Sequence, residues 1–309
     1  MKRKRTIHRH IIGIGFAAPW LLGFFVWTLG PLLFSIVLSF MHWDGITTQD
    51  IQWVGFDNFR RCFQEQDFWL ALSNTFYYSF IAIPLSLCYS LFLAVLLNQR
   101  VKGIGVFRTI FYLPHIIGGI ATIVIWQWLY NPDFGMFNNV LRGIIDFLSI
   151  FIPSLSDMSL PGWIYERSWA KPSLIIMNMW GAGGAMLIFL AGLQNIPTYL
   201  YEAADIDGAS RWQQFRHITI PQLSPTIFFN LVMGIIGSFQ VFNQVFLMYN
   251  SSSGDSLLFY VLYLYRKAFE DFELGYASAL AWILFIVIMF FTLLVIRSSK
   301  VWVHYEESG

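Results

Sequence analysis

Charged residues are scarce in this sequence of 309 residues. Asp, Glu, Lys and Arg together make up 12% of it, about half of their share in a typical soluble domain. The formal net charge is only +1, which gives no indication of a nucleic-acid partner. Hydrophobic residues supply 57% of the chain, and its mean hydropathy is +0.58. This balance indicates an integral membrane protein.

Sequence motifs for catalysis are also missing. The chain contains no phosphate-binding loop of the pattern GxxxxGK[ST] and no HExxH zinc motif, and its six histidines are scattered. We therefore expect that the chain is not an enzyme, and that it binds no metal or cofactor of its own.

Long hydrophobic segments are what the sequence has instead. A bilayer core about 30 Å thick needs roughly 20 apolar residues per helix, and lipid-exposed single segments must be helical. We predict an all-α integral membrane fold with six transmembrane helices in a single domain over residues 1–309. The predicted spans are 11–40, 71–97, 107–128, 174–193, 227–249 and 276–296.

Two further hydrophobic segments need a decision. The basic start MKRKRTIHRH resembles a signal peptide, but the apolar run that follows is far longer than a cleavable one, so we expect a retained signal anchor. The segment Val140–Ile152 is apolar but short and carries Arg142 and Asp146. We expect it to lie in the membrane interface rather than across the bilayer.

Basic residues predict the orientation of the spans. With the N-terminus inside, the inner segments hold most of the basic residues, and the outer loops hold fewer, beside most of the acidic ones. The inner set is Lys2, Arg3, Lys4, Arg5, Arg9, Arg100, Lys102, Arg211, Arg216, Arg297 and Lys300; the outer set is Arg60, Arg61, Arg142, Arg167, Lys171, Arg266 and Lys267. We therefore expect a multi-pass protein of a bacterial cell membrane with both termini, and the loop 194–225, in the cytoplasm.

Only two cysteines are present, Cys62 in a predicted outer loop and Cys88 within the second span. A disulfide between them would have to cross most of a membrane leaflet. We expect free thiols.

Ionisable residues inside the spans are few. Arg108 lies near the cytoplasmic end of the third span, where we expect its side chain to extend to the interface, and we interpret His115, beside Pro114, as a packing histidine. A carrier driven by protons or sodium would normally show more such residues, so a self-powered transporter is disfavoured.

Uncharged polar residues are concentrated in two spans. In the fifth, Gln240, Asn243 and Gln244 have the spacing i, i+3, i+4, which would put them on one helix face beside Phe239. In the fourth, three glycines follow the polar and aromatic pair Asn178 and Trp180; they are Gly181, Gly183 and Gly184. Small residues and amides also mediate helix packing in membranes. The residues alone leave packing and contact with a polyhydroxy ligand equally open.

The charged stretch PTYLYEAADIDGASRWQQFRHITIP, between the fourth and fifth spans, has helix signals. Pro197 opens a first helix that Thr198 can cap, Gly208 permits a sharp break, and Ser210 can cap a second helix that Pro221 should end. Such short helices are marginal in water and need a surface to dock against. An anionic membrane surface would repel the acidic residues, so we predict a protein partner.

Here the residues carry a resemblance. Glu202-Ala203-Ala204, three residues, then Gly208, followed by the segment Ile218–Pro221, resembles the EAA loop of binding-protein-dependent ABC importer permeases. The segments WVGFDNFRRCF, FRTIFYLPHIIGGIATIVIWQWLYNPDFG, MLIFLAGLQNIPTYLYEAADIDGA and GYASALAWILF are similar to the first-type permease of carbohydrate importers, the group that contains the maltose permease pair. Within that group the chain resembles transporters of Gram-positive bacteria that take up plant-polysaccharide fragments such as pectin-derived oligosaccharides.

The resemblance implies the type I importer permease fold (MetI-like) and a set of partners. These are a second permease in a heterodimer, two cytoplasmic subunits that use ATP with Mg²⁺, an extracytoplasmic solute-binding protein and an oligosaccharide. The maltose permease has additional N-terminal spans and a large outer domain that this sequence does not show. The solute-binding protein is therefore expected to dock on the loops 131–173 and 250–275.

The resemblance also implies functional residues. The coupling to the ATPase would lie at Tyr201, Glu202, Ala203, Ala204, Asp205, Asp207, Gly208 and Ala209. The sugar contacts would be Met177, Gly181, Gly184, Phe239, Gln240 and Asn243. This raises ligand contact above packing for the latter set.

Two alternatives stay open at this point. One is an importer of another polar solute such as glycerol phosphate, but a phosphate calls for a cation near the pocket and only Arg108 is available. The other is a membrane protein whose cytoplasmic helix recruits an ATPase without transporting anything.

Overall fold

The computed structural model describes residues 15–46, 51–99, 101–155 and 158–304. Segment 1–14 and Arg100, which supply part of the predicted charge asymmetry, lie outside the described residues. By its internal contacts the chain divides into two compact units. Unit 1 comprises residues 1–65 and 264–285, and unit 2 comprises residues 66–263 and 286–309.

Helices dominate the described residues. In chain order they are α1 (Gly15–Ser39), α2 (Asp57–Gln64), α3 (Gln66–Leu97), α4 (Ile104–Ile117), α5 (Ile120–Leu129), α6 (Met136–Ser149), α7 (Ala170–Trp180), α8 (Gly183–Asn195), α9 (Thr198–Ile206), α10 (Arg211–Gln214), α11 (Ser224–Phe239), α12 (Asn243–Met248), α13 (Tyr260–Phe269) and α14 (Leu274–Trp302). Two-residue strands, β1 (Met41–His42) and β2 (Gln52–Trp53), pair antiparallel.

The prediction of an all-helical membrane fold is confirmed. Helices α1, α3 and α14 and the segment Ser224–Met248 are each long and apolar enough to cross a bilayer. The third and fourth predicted spans are not single straight helices. Each is a bent pair, with an angle of 104° between α4 and α5 and 45° between α7 and α8. Counting each pair as one span gives the six that the sequence predicts.

Unit 1 is held together by polar contacts beside its aromatic residues. The Asn58 amide donates to the carbonyls of Ser39 and Met41 at 3.0 and 2.9 Å. On the same helix, α2, Arg61 forms ion pairs with Glu65 at 2.7 Å and Glu273 at 2.9 Å, and its guanidinium lies 4.4 Å from the centre of the Tyr276 ring. These contacts fix α2 against α1 and the first turn of α14.

Unit 2 is organised around α3, which packs against α7, α8 and α11. Its main apolar core joins the last turns of α3 to α8 and to the chain just before α11. The buried members are Leu93, Ala94, Leu97, Met186, Phe189, Leu190, Leu193, Ile196 and Leu223. Close packing of this kind makes the helices around it move as one body.

The segment Val140–Ile152, expected in the membrane interface, corresponds largely to α6. This helix leaves a row of apolar side chains exposed at Met136, Val140, Ile144 and Phe147. That spacing gives one continuous apolar face, as an interfacial helix requires.

Candidate functional site

Three spans of unit 2 are interrupted at one cavity. Its volume is about 270 Å³. The break between α4 and α5 contributes Gly118 and Gly119, the break between α7 and α8 contributes Gly181, and the break between α11 and α12 contributes Val241. Backbone that leaves the helical path within a membrane segment is tolerated where it lines a cavity or is buried in protein. The cavity is therefore the place where these spans can hold a polar ligand.

The first break is made by glycine. Gly119 has φ +72° and ψ −151°, a conformation that side-chain-bearing residues rarely adopt. Pro114, four residues before Gly118, accepts the Gly118 N–H at its carbonyl and closes the last turn of α4 at 3.3 Å. The chain then turns sharply, and α5 begins beside the cavity.

The second break is supported from α3. The hydroxyl of Ser90 donates at 3.2 Å to the carbonyl of Ala182, which also accepts the Met186 N–H at 3.0 Å. Immediately after it, the backbone of Gly183 lies against α4, since a Cβ atom there would stand 2.5 Å from the Phe111 carbonyl oxygen. The bend between α7 and α8 and the contact between α8 and α4 therefore both lie at residues 182–183.

The third break corrects the sequence analysis. Helix α11 ends at Phe239, Gln240 caps it, and a new helix begins at Asn243. The prediction that Gln240, Asn243 and Gln244 share one face of a continuous helix is therefore wrong. No glycine or proline marks positions 240–242, so the local sequence carried no signal for the interruption. A contact from α5 holds α12 in place, because the Gln127 amide donates to the Leu247 carbonyl at 2.6 Å.

The cavity wall is polar and uncharged. Its lining includes three amides, at Asn178, Asn243 and Gln244, and the indole ring of Trp180. None of the described residues that line it is Asp, Glu, Lys or Arg. Amides both donate and accept hydrogen bonds, and an indole face packs on C–H surfaces. Such a wall suits a neutral or weakly charged ligand with many hydroxyl groups.

The predicted sugar contacts divide between two places. Met177, Gly181 and Asn243 line the cavity. Gly184 lies beside it, where a Cβ atom would stand 2.7 Å from the ring of His115. Phe239 and Gln240 are not in the lining. Phe239 is buried in an aromatic cluster with Phe76 and Phe291, and Gln240 is exposed at the end of α11.

Sequence reasoning did not assign several residues of the wall to a ligand site, and His115 and Thr122 are among them. His115 was interpreted as a packing histidine, and its ring does lie against Tyr112 and Gly184, but it also lines the cavity. Thr122, in the first turn of α5, lines it as well. Only the pairing of Pro114 with Gly118-Gly119 could have indicated a bend there. Arg108 lies elsewhere, since its guanidinium donates to the Leu97 carbonyl at 2.9 and 3.2 Å and so caps α3.

The predicted coupling residues form a helical elbow, which we define as residues 198–219: α9, α10, the turn between them and the helical turn that follows α10. Gly208 has φ +74° and ends α9. Ser210 begins α10 with a capping box, in which its N–H donates to the Gln213 side chain at 2.7 Å and its hydroxyl accepts the Gln213 N–H at 3.4 Å. Thr198 is the first helical residue and its side chain makes no cap, so that detail of the prediction is wrong.

One buried amide closes the elbow. Gln214 is only 3% exposed, and its Nε2 donates to Asp205 at 2.5 Å and to the Ala209 carbonyl at 3.2 Å. The hydroxyls of Tyr201 and Thr219 are 2.9 Å apart. These bonds fix the angle between the two helices of the elbow.

The elbow is packed onto the spans and continuous with them. Leu200, Tyr201 and Ile218 pack against the apolar core of unit 2.

Pro221 does not end the second helix as predicted, because the chain passes through a wide π turn at Phe215–Thr219 and remains helical over Ile220–Gln222. A π turn places the proline where its missing N–H breaks no bond. Glu202, Ala203, Asp205, Asp207 and Gly208 are exposed, while Tyr201, Ala204 and Ala209 are half-buried.

Comparison with known proteins identifies relatives among transport permeases. Residues 106–301 match the family described as binding-protein-dependent transport system inner membrane component. The chain is 40% identical to the probable ABC transporter permease protein YesP of Bacillus subtilis, over 99% of this chain and 96% of that one. It is 32% identical to the arabinooligosaccharides transport system permease protein AraP of the same organism, over 92% and 87% of the two chains.

A solved structure shares the fold. It is a bacterial alginate ABC transporter in complex with an alginate pentasaccharide-bound periplasmic protein, with a TM-score of 0.81, 25% identity and 96% of each chain covered. The interrupted spans and the elbow thus belong to a transport permease and not to an enzyme. The chain is a multi-pass membrane protein of the family of binding-protein-dependent transport system inner membrane components.

Proposed function

We propose that this chain is the permease subunit of an ATP-driven importer of di- and oligosaccharides. The observation that carries the proposal is the cavity at the three interrupted spans, with its amides and its indole ring. Among the described residues of its lining, His115 is the one side chain that is acidic or basic. A sugar presents hydroxyl groups that need donors and acceptors, and C–H faces that stack on aromatic rings.

The relatives support this substrate class. AraP is named for arabinooligosaccharides, and the neighbouring structure is a transporter of alginate. The alternative of a phosphate ester is not supported, because Arg108 is engaged with the Leu97 carbonyl rather than the cavity. On this proposal Met177, Gly181 and Asn243 contact the sugar directly, and Gly184 acts through His115. Phe239 and Gln240 shape the neighbouring helix end.

We infer that the elbow couples the cavity to ATP hydrolysis in separate subunits. Its outer surface exposes large apolar side chains, with Ile206 at 88% exposure and both Tyr199 and Trp212 exposed, between acidic residues. Its inner surface is fixed to α3 and α8 through the core. A partner that moves the elbow therefore moves both helices beside the cavity, as in a rigid lever.

The remaining partners follow from the same proposal. A second permease completes the pathway, two cytoplasmic subunits hydrolyse ATP with Mg²⁺, and a solute-binding protein delivers the sugar outside. Both termini and the elbow face the cytoplasm, and the loops 131–173 and 250–275 face the solute-binding protein. A non-translocating recruiter of ATPase would need the elbow but not the interrupted spans.

The test is sugar-stimulated ATP hydrolysis and uptake. The complete complex in proteoliposomes is tested with its binding protein and a panel of plant-derived and bacterial oligosaccharides. We expect stimulation by at least one sugar, and loss of it in Glu202→Lys, since the added charge faces the partner. Arg216→Ala, an exposed site on the same elbow, serves as control. If no sugar of the panel stimulates ATP hydrolysis and none is taken up, the proposed function is excluded.

A further inference from the structure

The first turn of α5 forms one wall of the cavity. Gly119 precedes this ten-residue helix and has no side chain to cap it, and Gly119 and Thr122 both line the cavity. The first N–H groups of a helix have no partner within it. They also carry the positive end of the helix dipole, which favours a nearby anion.

A second observation at this turn indicates a ligand. Thr122 is 8% exposed, and its hydroxyl oxygen is enclosed without a hydrogen-bond partner in the described part of the chain. Threonines in helices usually bond the carbonyl one turn earlier, but here that turn is the glycine break. A buried hydroxyl without a partner costs free energy, which an acceptor on a ligand would offset.

His115 provides a third donor from the opposite side of the break. It lies in the last turn of α4, three residues before Gly118, and its ring lines the same cavity. A neutral imidazole donates one hydrogen bond, and a protonated one donates two. No carboxylate stands among the described residues of the wall to compete for these donors.

We infer that the α5 end of the cavity binds a carboxylate, so that the preferred cargo is an oligosaccharide carrying uronic acid residues. This inference rests on the proposed function and names the substrate class for it. Thr122 and His115 are the specificity-determining side chains. The amides and Trp180 hold the neutral parts of the sugar.

The donors suit a carboxylate better than a phosphate. A carboxylate carries one negative charge, which backbone N–H groups and a hydroxyl can stabilise. A phosphate monoester carries close to two at neutral pH and is usually met by Arg or Lys. Neither residue type lines the cavity in the part of the chain that the structure describes, and Arg108 caps α3.

The test compares one sugar in two chemical forms. Galacturonate and mannuronate trisaccharides are measured beside the same molecules after reduction of their carboxyl groups to neutral alcohols. Binding is measured by equilibrium dialysis on the complete permease and ATPase complex in nanodiscs, without the binding protein, so that the permease alone selects. ATPase stimulation of the full system is the second readout.

We expect the wild type to bind at least one acidic form about tenfold tighter than its reduced form. Thr122→Val should lower affinity for the acidic form about tenfold, the size expected for a hydrogen bond to a charged group. Affinity for the reduced form should not change. Thr122→Ser should restore the preference, and His115→Phe, which keeps a ring against Gly184, should weaken it. Thr109→Val, which removes a hydroxyl bonded to Gly105 on α4, is the matched control.

Several results would overturn the inference. Equal or tighter binding of the reduced sugars by the wild type would show that the cavity does not select a carboxylate. A Thr122→Val variant that weakens both forms equally would indicate a structural role only. If sugars of both kinds bind without preference, the inference fails and the proposed function stands. If no sugar binds or stimulates ATP hydrolysis, both fail.

Discussion

Gly183 and Gly184 are adjacent in the chain, but a side chain at each would meet different neighbours. At Gly183 a Cβ atom would stand 2.5 Å from the Phe111 carbonyl oxygen and 3.0 Å from the Tyr112 Cα, both backbone atoms. At Gly184 the three nearest atoms would all belong to the ring of His115, at 2.7 to 3.1 Å. A ring can rotate, whereas a backbone in a packed crossing cannot move alone.

We therefore predict that Gly183→Ala destabilises the protein by about 1 to 3 kcal/mol, the usual cost of overpacking. Gly184→Ala should leave the unfolding temperature in detergent nearly unchanged but alter sugar affinity, because it displaces His115. Thermal unfolding and binding assays on both variants check this. Equal stability of Gly183→Ala and wild type would show that α4 and α8 separate more easily than their packing indicates.

Cys62 differs from an ordinary surface thiol. It is fully buried in unit 1, and burial raises the pKa of its thiol to about 11. Only the thiolate reacts quickly with maleimides, so the reactive fraction at pH 7 to 8 is small and rises as the pH approaches that pKa. We predict slow labelling of Cys62 in the folded protein and fast labelling after denaturation, as measured by mass spectrometry. Fast labelling at pH 7 without denaturant would contradict this burial.

At the scale of elements, the sequence predicted those features that depend on neighbouring residues. Ser210, with Gln213 three residues later, forms the predicted cap of α10, and Gly208 forms the predicted break. The interruption at residues 240–242 could not be predicted, because it is stabilised by contacts from distant helices such as Gln127 to Leu247. The π turn before Pro221 was missed for the same reason. Tertiary contacts there override what local propensity indicates.

Gly208 gives a prediction for the elbow. Its φ of +74° is unfavourable for side-chain-bearing residues by about 1 to 2 kcal/mol, and Asn tolerates it best. A Cβ atom at this position meets no neighbour, so the effect is one of backbone conformation alone. We expect Gly208→Val to reduce sugar-stimulated ATP hydrolysis in proteoliposomes, and Gly208→Asn to retain most of it.

The comparison of these two variants distinguishes an effect on the backbone conformation at residue 208 from an effect on its contact with the partner. If both variants lose coupling, the partner requires glycine itself at the surface. If neither does, the angle of the elbow does not transmit the movement. Gln214→Ala, which removes the bonds to Asp205 and Ala209, should resemble Gly208→Val.

At the scale of the whole molecule, the count of spans followed from length and hydropathy, but the bends in two of them did not. The orientation rests on the basic residues, and part of these lie outside the described segments. It remains a prediction. Ser252, in the loop before α13, and Lys300, in the last turn of α14, are both exposed and are predicted on opposite sides of the membrane.

Single cysteines at these two sites give the final prediction. In intact cells, a membrane-impermeant maleimide should label Ser252→Cys, and it should label Lys300→Cys only after the membrane is permeabilised. The native thiols add little background, because Cys62 is buried and Cys88 lies within α3, where a charged reagent does not enter the bilayer. The reverse pattern would invert the orientation and place the elbow outside, where it could not meet ATP-hydrolysing subunits. Labelling of both sites in intact cells would mean an even number of crossings between them, and would therefore show that α14, the one predicted span between residues 252 and 300, does not cross the membrane.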